Sequence, residues 1–411
     1  MYSNSVETQH GDAQRERVLR LLSLVTFFIF FQAYMVAPII PRLAQVFGVS
    51  PQQVGLIVPA YLIPYGVATL VCGLLADRLG LWRLMAASLV AFAVLTALTA
   101  TARSVEELAF WRSLTGIGAS GIVPLALVFV GRLYPFEKRG RPLGWIFGAM
   151  AGGMAFGAPF GTVLEPYLGW RALFVSVGVI GAVMLSLLMP HRQLIADALQ
   201  ATGGSFRGLV LGYRDLLSTR RGARTYAYVF LNSMFHSGVF TWLGVYLEHR
   251  YGLGPVGIGL ALLGYGIPGF IFGPLIGRAA DRYGRGRLIP LGLALGALSA
   301  AALMADMPLI AIPLAVAVLS FGYDMTQPLF AGIVTTLGGQ RPGQAMGLNV
   351  FMLFVGFGLG SLVFGEVLRL GFAPALAAFA GVELVIALFA LALFRAEMPV
   401  RAAVGQATKP T

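Results

Sequence analysis

The side chains best suited to chemistry in this chain are a few polar residues inside long apolar stretches. His236 and Asp324 each lie near the middle of such a stretch, and Arg112 lies about a turn and a half inside the outer end of another. A charged side chain in hydrocarbon costs about 2.5 to 3.5 kcal/mol on insertion scales unless it faces water or a partner. Histidine titrates near neutral pH, and a carboxylate removed from bulk water is suited to proton uptake and release. We therefore expect a proton-binding or ligand-binding role for these residues, with a structural hydrogen bond or ion pair as the alternative.

Further residues in the same stretches are candidates for the wall of one cavity. Aromatic and methionine side chains form adaptable apolar surfaces that suit amphipathic compounds. Ordinary helix packing is the alternative for these side chains. The predicted cavity residues are Gln32, Met35, Asn232, His236, Phe240, Tyr323, Asp324 and Gln327.

The sequence lacks a catalytic or metal-binding pattern. His10, His191, His236 and His249 are far apart, and no stretch has the spacing of a catalytic triad, a zinc site or a phosphate loop. The single cysteine, Cys72, cannot form an internal disulfide. We therefore expect no enzymatic activity, no metal and no cofactor.

The elements that must position these residues are helices long enough to cross a membrane. Hydrophobic residues make up 58% of the 411 positions and charged residues 11%, proportions typical of a membrane protein. About twenty apolar residues cross a hydrocarbon core of roughly 30 Å as helix. Twelve spans are predicted, near residues 20–41, 53–76, 82–101, 106–131, 142–165, 171–189, 223–247, 256–278, 287–304, 308–336, 343–367 and 373–394.

The basic residues are unevenly distributed between the two ends of these spans. With the amino terminus inside, 23 of the 29 Lys and Arg residues fall in inner segments, and the outer segments hold only five. This asymmetry follows the positive-inside rule and predicts that both termini are cytoplasmic. The net charge of +12 is then a consequence of topology and not a sign of nucleic-acid binding. We expect a monomeric, multi-pass protein of a bacterial-type inner membrane, in contact with lipid.

A repeat 204 residues apart divides the chain into two halves. Pro51–Leu84 aligns without a gap with Pro255–Leu288, and each copy ends an apolar stretch in A-D-R-x-G. Internal duplication is typical of transporters whose halves move about a site between them. The coinciding residues are Gly55/Gly259, Leu56/Leu260, Tyr61/Tyr265, Ile63/Ile267, Pro64/Pro268, Gly73/Gly277, Ala76/Ala280, Asp77/Asp281, Arg78/Arg282, Gly80/Gly284 and Arg83/Arg287.

The longest polar interval separates the two halves. The predicted organisation is a cytoplasmic tail at 1–19, a six-helix bundle at 20–189, a cytoplasmic linker at 190–222, a second six-helix bundle at 223–395 and a cytoplasmic tail at 396–411. Within the linker, residues 206–217 are either an amphipathic helix against anionic lipid headgroups or a solvated tether.

Three motifs resemble those of the major facilitator superfamily. The sequence from Gly73 to Arg83 is similar to the family's signature loop, and a degenerate second copy follows from Gly277 to Arg287. Leu108 to Ala119 resembles the family's span 4 pattern around a membrane arginine, with Thr115 in place of Gln. Gly153 to Gly161 resembles the span 5 pattern of twelve-span drug/proton antiporters, from which Ala158 and Thr162 depart.

The resemblance implies an all-α membrane protein with twelve helices in two pseudo-symmetric bundles. In this family the signature loop is taken to latch the outward-open state. The residues expected to form this conformational clamp are Gly73, Asp77, Arg78, Gly80, Arg83, Asp281 and Arg282. A topology signal supplied by Arg78 and Arg83 alone is the alternative.

The resemblance also gives roles to the span 5 motif and to the polar residues. Gly153, Gly157, Pro159 and Gly161 either seal the contact between the halves against proton leak or simply allow another helix to approach closely. Spans 1, 4, 7 and 10 line the central cavity of this fold. Gln32, Arg112, His236 and Asp324 are therefore expected around one site.

The expected function is proton-coupled export of small amphipathic molecules. Many such exporters carry an acidic residue in span 1, where this chain has Gln32. Coupling must therefore depend on Asp324 with His236 or Arg112. The alternatives are an importer or facilitator of a small organic anion or metabolite held by Arg112, and a non-transporting sensor or assembly factor on the same scaffold.

Overall fold

Helices occupy the six predicted spans of the first half. The computed structural model describes residues 2–134, 140–198, 206–339 and 342–397. Span 1 is Tyr2–Tyr34, followed by Ile40–Phe47; span 2 is Pro51–Gly55 with Ile57–Leu79; span 3 is Leu81–Thr99; span 4 is Val105–Ala119 with Ile122–Leu133; spans 5 and 6 are Gly140–Leu188, bent at Gly169. The span 1 helix begins at Tyr2, so the backbone shows no boundary between it and the predicted tail at 1–19.

The second half repeats this arrangement after two linker helices. The linker contains Arg192–Ala198 and Phe206–Ser218. Span 7 is Arg220–Tyr251; span 8 is Pro255–Ala261 with Ile267–Tyr283; span 9 is Arg285–Ala302; span 10 is Ile312–Gly338; span 11 is Pro342–Val367; span 12 is Phe372–Leu393. The described residues form no strand, which confirms the all-α prediction.

Eight segments of the described chain are by themselves long and apolar enough to cross a membrane. One of them, Arg141–Ala198, covers both predicted spans 5 and 6. The helices at spans 7, 8 and 9 complete a set that is consistent with the twelve predicted spans.

Turn glycines have matching backbone conformations in the two halves. Gly48 and Gly252 end helices with φ of 67° and 64°. Gly80 and Gly284 separate helices with φ/ψ of 83°/155° and 85°/147°. Side chains with a Cβ rarely adopt these positive φ values. Because both pairs are 204 residues apart, the sequence repeat is also a repeat of structure, and it begins before Pro51.

These glycines mark the two ends of the helix bundle. We call the end that carries Gly80, Gly284 and the linker helices the motif face. The end that carries Gly48 and Gly252 is the distal face.

The first and second halves pack together towards the distal face. The buried Trp242 ring of span 7 lies against Gly55 of span 2 and Gly365 of span 11, and its Nε1 donates to the Ser361 carbonyl oxygen at 3.0 Å. Near the surface, Gln45 Nε2 donates to Glu248 Oε1 at 3.2 Å. The halves are therefore closed against each other at this end.

The repeat partner of Gly55 makes the equivalent contact on the other side of the molecule. A Cβ on Gly259 of span 8 would lie 3.0 Å from a Val163 methyl group and 3.2 Å from the Pro159 carbonyl oxygen of span 5. Gly55 and Gly259 therefore both lie at the interface between the halves. A glycine at each position allows the opposite half to approach closely.

The contact of span 5 with span 8 does not continue, among the described residues, towards the motif face. A Cβ on Gly266 would lie 2.6 Å from the Ala155 Cβ. Gly148 and Gly144 precede Ala155 by seven and eleven residues and share its helix face. Neither has an atom of the described residues within 4 Å of its Cβ position. The gap between spans 5 and 8 is therefore closed at the distal face and open at the motif face.

The glycines of the span 5 motif face span 1 of the same half. Cβ atoms on Gly157 and Gly161 would each lie 2.6 Å from a span 1 carbonyl oxygen, that of Phe31 and that of Met35 respectively. These close contacts correspond to the helix-packing alternative for the motif. Met35, a predicted cavity residue, is part of them. Within the motif, Ala155 and the Pro159 carbonyl oxygen lie against the other half.

The linker helix Phe206–Ser218 is docked on the protein. Leu209 and Gly212 are buried, and Tyr213 Oη donates to the Leu70 carbonyl oxygen of span 2 at 2.9 Å. Phe206, Val210 and Leu211 stay exposed. Residues 206–218 thus form a helix with one face on the protein and apolar side chains outside it, and its contact with lipid headgroups stays a prediction.

Candidate functional site

The predicted span 8 is interrupted near its middle. Residues 262–266 lie between the helices Pro255–Ala261 and Ile267–Tyr283, and Gly266 has a positive φ of 76°. The equivalent part of span 2 is the continuous helix Ile57–Leu79. Interrupted helices in transporters leave main-chain groups free to bind side chains, ions or substrates.

Two residues of this interruption are linked to His236 and Asp324. The Tyr265 hydroxyl is hydrogen-bonded to Nε2 of His236, and the ring centroids are 5.4 Å apart. The Gly266 N–H donates to Ser320 Oγ at 2.8 Å, and Ser320 Oγ donates to Asp324 Oδ2 at 2.8 Å. The Tyr265–Gly266 segment, which we call the corner, is therefore hydrogen-bonded to both candidate proton-binding residues. The bond to His236 is direct, and the link to Asp324 passes through Ser320.

Aromatic rings enclose His236, which is 1% exposed. The Tyr323 ring stacks on the imidazole with centroids 3.9 Å apart, and Phe240 packs on Tyr265 at 4.0 Å. Tyr34 of span 1 reaches this cluster from the other half, with its ring 5.3 Å from that of Phe240. The cluster therefore lies where the two halves meet.

The amide residues of the predicted cavity differ in their surroundings. Asn232 Nδ2 donates to Thr326 Oγ1 at 2.7 Å and so connects spans 7 and 10. Gln327 is half-buried, and its Nε2 has no hydrogen-bond partner among the described residues. Gln32 is fully buried, and both of its amide atoms lack a partner within the described part of the chain. Gln32 and Gln327 thus have unused hydrogen-bonding capacity.

Arg112 forms a second centre in the first half. Its side chain is fully buried, the guanidinium lies 4.3 Å over the Tyr61 ring, and Nε donates to the Ile57 carbonyl oxygen at 3.3 Å. Nη1 and Nη2 have no hydrogen-bond partner among the residues that the structure describes. A guanidinium carries five N–H donors, so most of its donors remain available.

A row of aromatic rings connects the two centres. Successive centroid distances are 5.9 Å from Tyr61 to Tyr65, 4.1 Å from Tyr65 to Phe354, 6.0 Å from Phe354 to Phe357 and 6.1 Å from Phe357 to His236. The sequence predicted one site around Arg112, His236 and Asp324. The structure has two centres at the ends of this row.

The residue next to each centre is a member of the repeat. Tyr61 lies under Arg112 and its repeat partner Tyr265 contacts His236. The sequence alignment identified this tyrosine pair but gave it no role. The signal was available, because both members are polar aromatic residues at the same position of the duplicated unit.

The predicted clamp lies at the two equivalent turns on the motif face. Arg78, Arg83 and Arg282 are exposed. Gly73, Asp77 and Asp281 lie outside the residues whose side chains are described. The expected latch belongs to a state that is closed on the motif face, so this role stays a prediction.

The family follows from a comparison of the whole chain with known families. The model of the Major Facilitator Superfamily matches residues 22–262 and 225–410. The chain belongs to this superfamily. Its members are multi-pass membrane carriers of small molecules and not enzymes, in agreement with the sequence-based expectation.

Relatives and solved structures agree with this assignment. The MFS-type transporter YwfA of Bacillus subtilis (strain 168) is 25% identical over 301 residues, which cover 71% of this chain and 70% of YwfA. MdtD of Escherichia coli (strain K12), whose name proposes multidrug resistance, is 27% identical over 179 residues, or 42% of this chain and 38% of MdtD. The crystal structure of the nucleoside transporter NupG aligns with a TM-score of 0.74 at 14% identity, covering 93% of this chain and 100% of that one. At this identity the likeness to NupG concerns the fold.

Proposed function

We propose that this carrier is a proton-coupled exporter of small amphipathic molecules that works by alternating access. The observation that carries the proposal is the chain of hydrogen bonds from Gly266 through Ser320 to Asp324, beside the bond between Tyr265 and His236. It joins two titratable residues to a backbone corner at the interface between the halves. The aromatic cluster around His236 provides an apolar surface for an amphipathic substrate.

Proton uptake at Asp324 changes the contact between the halves. A hydrogen bond to a carboxylate is roughly twice as strong as one to a neutral acceptor. Protonation of Asp324 therefore weakens the bond from Ser320, which also accepts from the Gly266 N–H. Gly266 packs on Ala155 of the first half. The strength of this corner therefore depends on whether Asp324 carries a proton.

The predicted orientation is compatible with export. The excess of basic residues on the motif face supports a cytoplasmic location for this face and for both termini. In a bacterial-type inner membrane, the structure then faces the cytoplasm and is ready to load substrate. Once the distal face opens, protons from outside bind Asp324 and displace the substrate to the outside. The partial similarity to MdtD is compatible with export.

Transport by purified protein in vesicles tests the role of Asp324. Asp324→Asn keeps the size of the side chain but not its titration, so we expect a pH gradient to stop accelerating substrate movement while downhill exchange continues. Asp306→Asn is the control, because Asp306 is 98% exposed on the distal face and pairs with Arg250. If Asp324→Asn still moves substrate against its concentration gradient at the normal rate when driven by a proton gradient, the coupling role of Asp324 is wrong.

A carrier for organic anions is the second candidate. It is favoured by the buried Arg112 guanidinium, whose Nη1 and Nη2 are unpartnered within the described residues. A carboxylate of the substrate can accept both hydrogen bonds. Uptake of a labelled aromatic acid that is lost in Arg112→Gln but retained in Asp324→Asn supports this candidate. Dye efflux with the reverse dependence supports the exporter.

A further inference from the structure

A recess opens on the motif face between the start of span 7 and the end of span 12. Its volume is about 570 Å³. Three of its six lining residues are arginines and one is acidic. The lining residues are Arg220, Arg221, Arg224, Leu393, Ala396 and Glu397.

Glu397 holds two of the arginines in place. Nε and Nη2 of Arg221 donate to the two carboxylate oxygens of Glu397 at 2.7 and 2.8 Å, and Arg224 Nη2 donates to Oε1 at 2.8 Å. The hydrogen bonds from Arg221 and then Arg224 hold the pKa of the Glu397 carboxyl below its usual value. At neutral pH the recess therefore contains one carboxylate and three guanidinium groups, with two net positive charges.

Part of this positive charge is available to a ligand. Arg220 is exposed and makes no hydrogen bond or ion pair with the described residues. Arg224 has a side chain that is 13% exposed and lies 4.2 Å over the Phe394 ring. Its Nε is buried and has no partner among the described atoms. The recess is suited to an anionic group such as a phosphodiester, which accepts hydrogen bonds from guanidinium groups.

The surface beside the recess is apolar. Span 12 exposes large hydrophobic side chains over its last two turns, and these face the surrounding hydrocarbon in a membrane protein. The exposed side chains are Leu388, Phe389, Leu391 and Leu393. A ligand that fits both surfaces has an anionic head in the recess and acyl chains along span 12. Basic pockets between helices at the cytoplasmic surface suit anionic lipid headgroups in this way.

We propose that the Arg220, Arg221 and Arg224 recess is a binding site for the phosphodiester headgroup of an anionic phospholipid of the inner leaflet. The lipid bridges the first turn of span 7 and the end of span 12. A bound lipid therefore restrains span 7, which also carries the candidate proton-binding residue His236.

The test is native mass spectrometry of the full-length protein titrated with phosphatidylglycerol or phosphatidylcholine in mixed micelles. We expect preferential retention of one phosphatidylglycerol. Arg220→Gln removes one surface cation and is expected to weaken this binding about fivefold, the equivalent of about 1 kcal/mol per basic residue. Arg192→Gln is the matched control, since Arg192 is an exposed arginine of the linker outside the recess.

A second variant moves the affinity in the opposite direction. Glu397→Gln removes the only acidic lining residue, so we expect tighter phosphatidylglycerol binding, a result that misfolding cannot produce. An excess of inorganic phosphate distinguishes the sources of the anion, because displacement of the lipid by phosphate would identify a site for free anions and overturn the lipid assignment. Equal losses in Arg220→Gln and Arg192→Gln would show that binding reflects general surface charge.

Discussion

At the scale of residues, the duplicated tyrosines show how one position serves two purposes. Tyr61 presents its ring face to the Arg112 guanidinium, and its hydroxyl has no hydrogen-bond partner among the described residues. Tyr265 uses its hydroxyl to bind Nε2 of His236. The duplicated position has kept the aromatic ring in both halves, and the hydroxyl has a partner in the second.

This difference predicts unequal effects of the same substitution. Tyr265→Phe leaves the buried His236 Nε2 without its partner, which costs roughly 1 to 3 kcal/mol. Tyr61→Phe keeps the ring under Arg112 and is expected to change stability by no more than about 0.5 kcal/mol. Thermal unfolding of both variants in detergent measures the difference. Equal destabilisation would contradict the hydrogen bond as the reason for Tyr265.

The ion pairs of Glu397 predict a dependence of stability on pH. Hydrogen bonds from Arg221 and Arg224 lower the pKa of Glu397 in the folded protein. The stabilisation is therefore fully present above the ordinary glutamate pKa and is lost as pH falls through the lowered folded value. At neutral pH, we expect Glu397→Gln to be less stable by about 1 kcal/mol, and the difference to shrink in acid.

Glu366→Gln is the control for this measurement. Glu366 pairs with Arg369 three residues away, and both side chains are more than half exposed. Such exposed pairs contribute little to stability, so this variant should match the wild type at every pH. A constant difference between Glu397→Gln and wild type from neutral to acid pH would refute the role of ionised Glu397.

At the scale of elements, apolar length and charge predicted the helices but not their interruptions. Pro64 and Pro268 are repeat partners, yet span 2 is continuous around Pro64 while span 8 is interrupted just before Pro268. At the interruption, the Gly266 N–H donates to Ser320 of span 10. Gly264 and Gly266 ahead of Pro268 are a local signal for a break, but the tertiary hydrogen bond to Ser320 leaves no such pattern, so the link from the break to Asp324 could not be predicted.

The glycine motif of span 5 shows the reverse case, in which spacing predicted a close approach but not the partner. A Cβ at Gly157 would lie 2.6 Å from the Phe31 carbonyl oxygen, whereas the Cβ position of Gly148 is open. We therefore expect Gly157→Ala to cost roughly 1 to 3 kcal/mol through overpacking. Gly148→Ala on the same helix is the control and should be neutral or slightly stabilising. Thermal unfolding measures the stability of both variants. Equal stability losses in the two variants would contradict a close contact of Gly157 with span 1.

At the scale of the whole molecule, the sequence predicted two halves and the structure adds which ends touch. The repeat, the basic residues and the family motifs were sufficient for the fold. They could not predict the contact of Trp242 with Gly55, because it joins residues of different halves in one conformational state. If the halves alternate, this distal contact must break during each transport cycle.

A reversible crosslink across the distal face tests this requirement. Gln45 and Glu248 belong to different halves and are hydrogen-bonded there. Joining Gln45→Cys to Glu248→Cys with a short reducible reagent is therefore expected to lower the transport rate at least tenfold. Reduction should restore it. The natural Cys72 is buried and does not compete for the reagent.

The matched control is a crosslink on the same face within one half. Arg250 and Asp306 form an ion pair on the distal face of the second half, so Arg250→Cys joined to Asp306→Cys restrains no movement between the halves. Alternating access requires that the first crosslink blocks transport and that the second does not. Transport that continues through a crosslinked Gln45/Glu248 pair would mean that substrate crosses without separation of the halves beside span 7, and it would contradict alternating access.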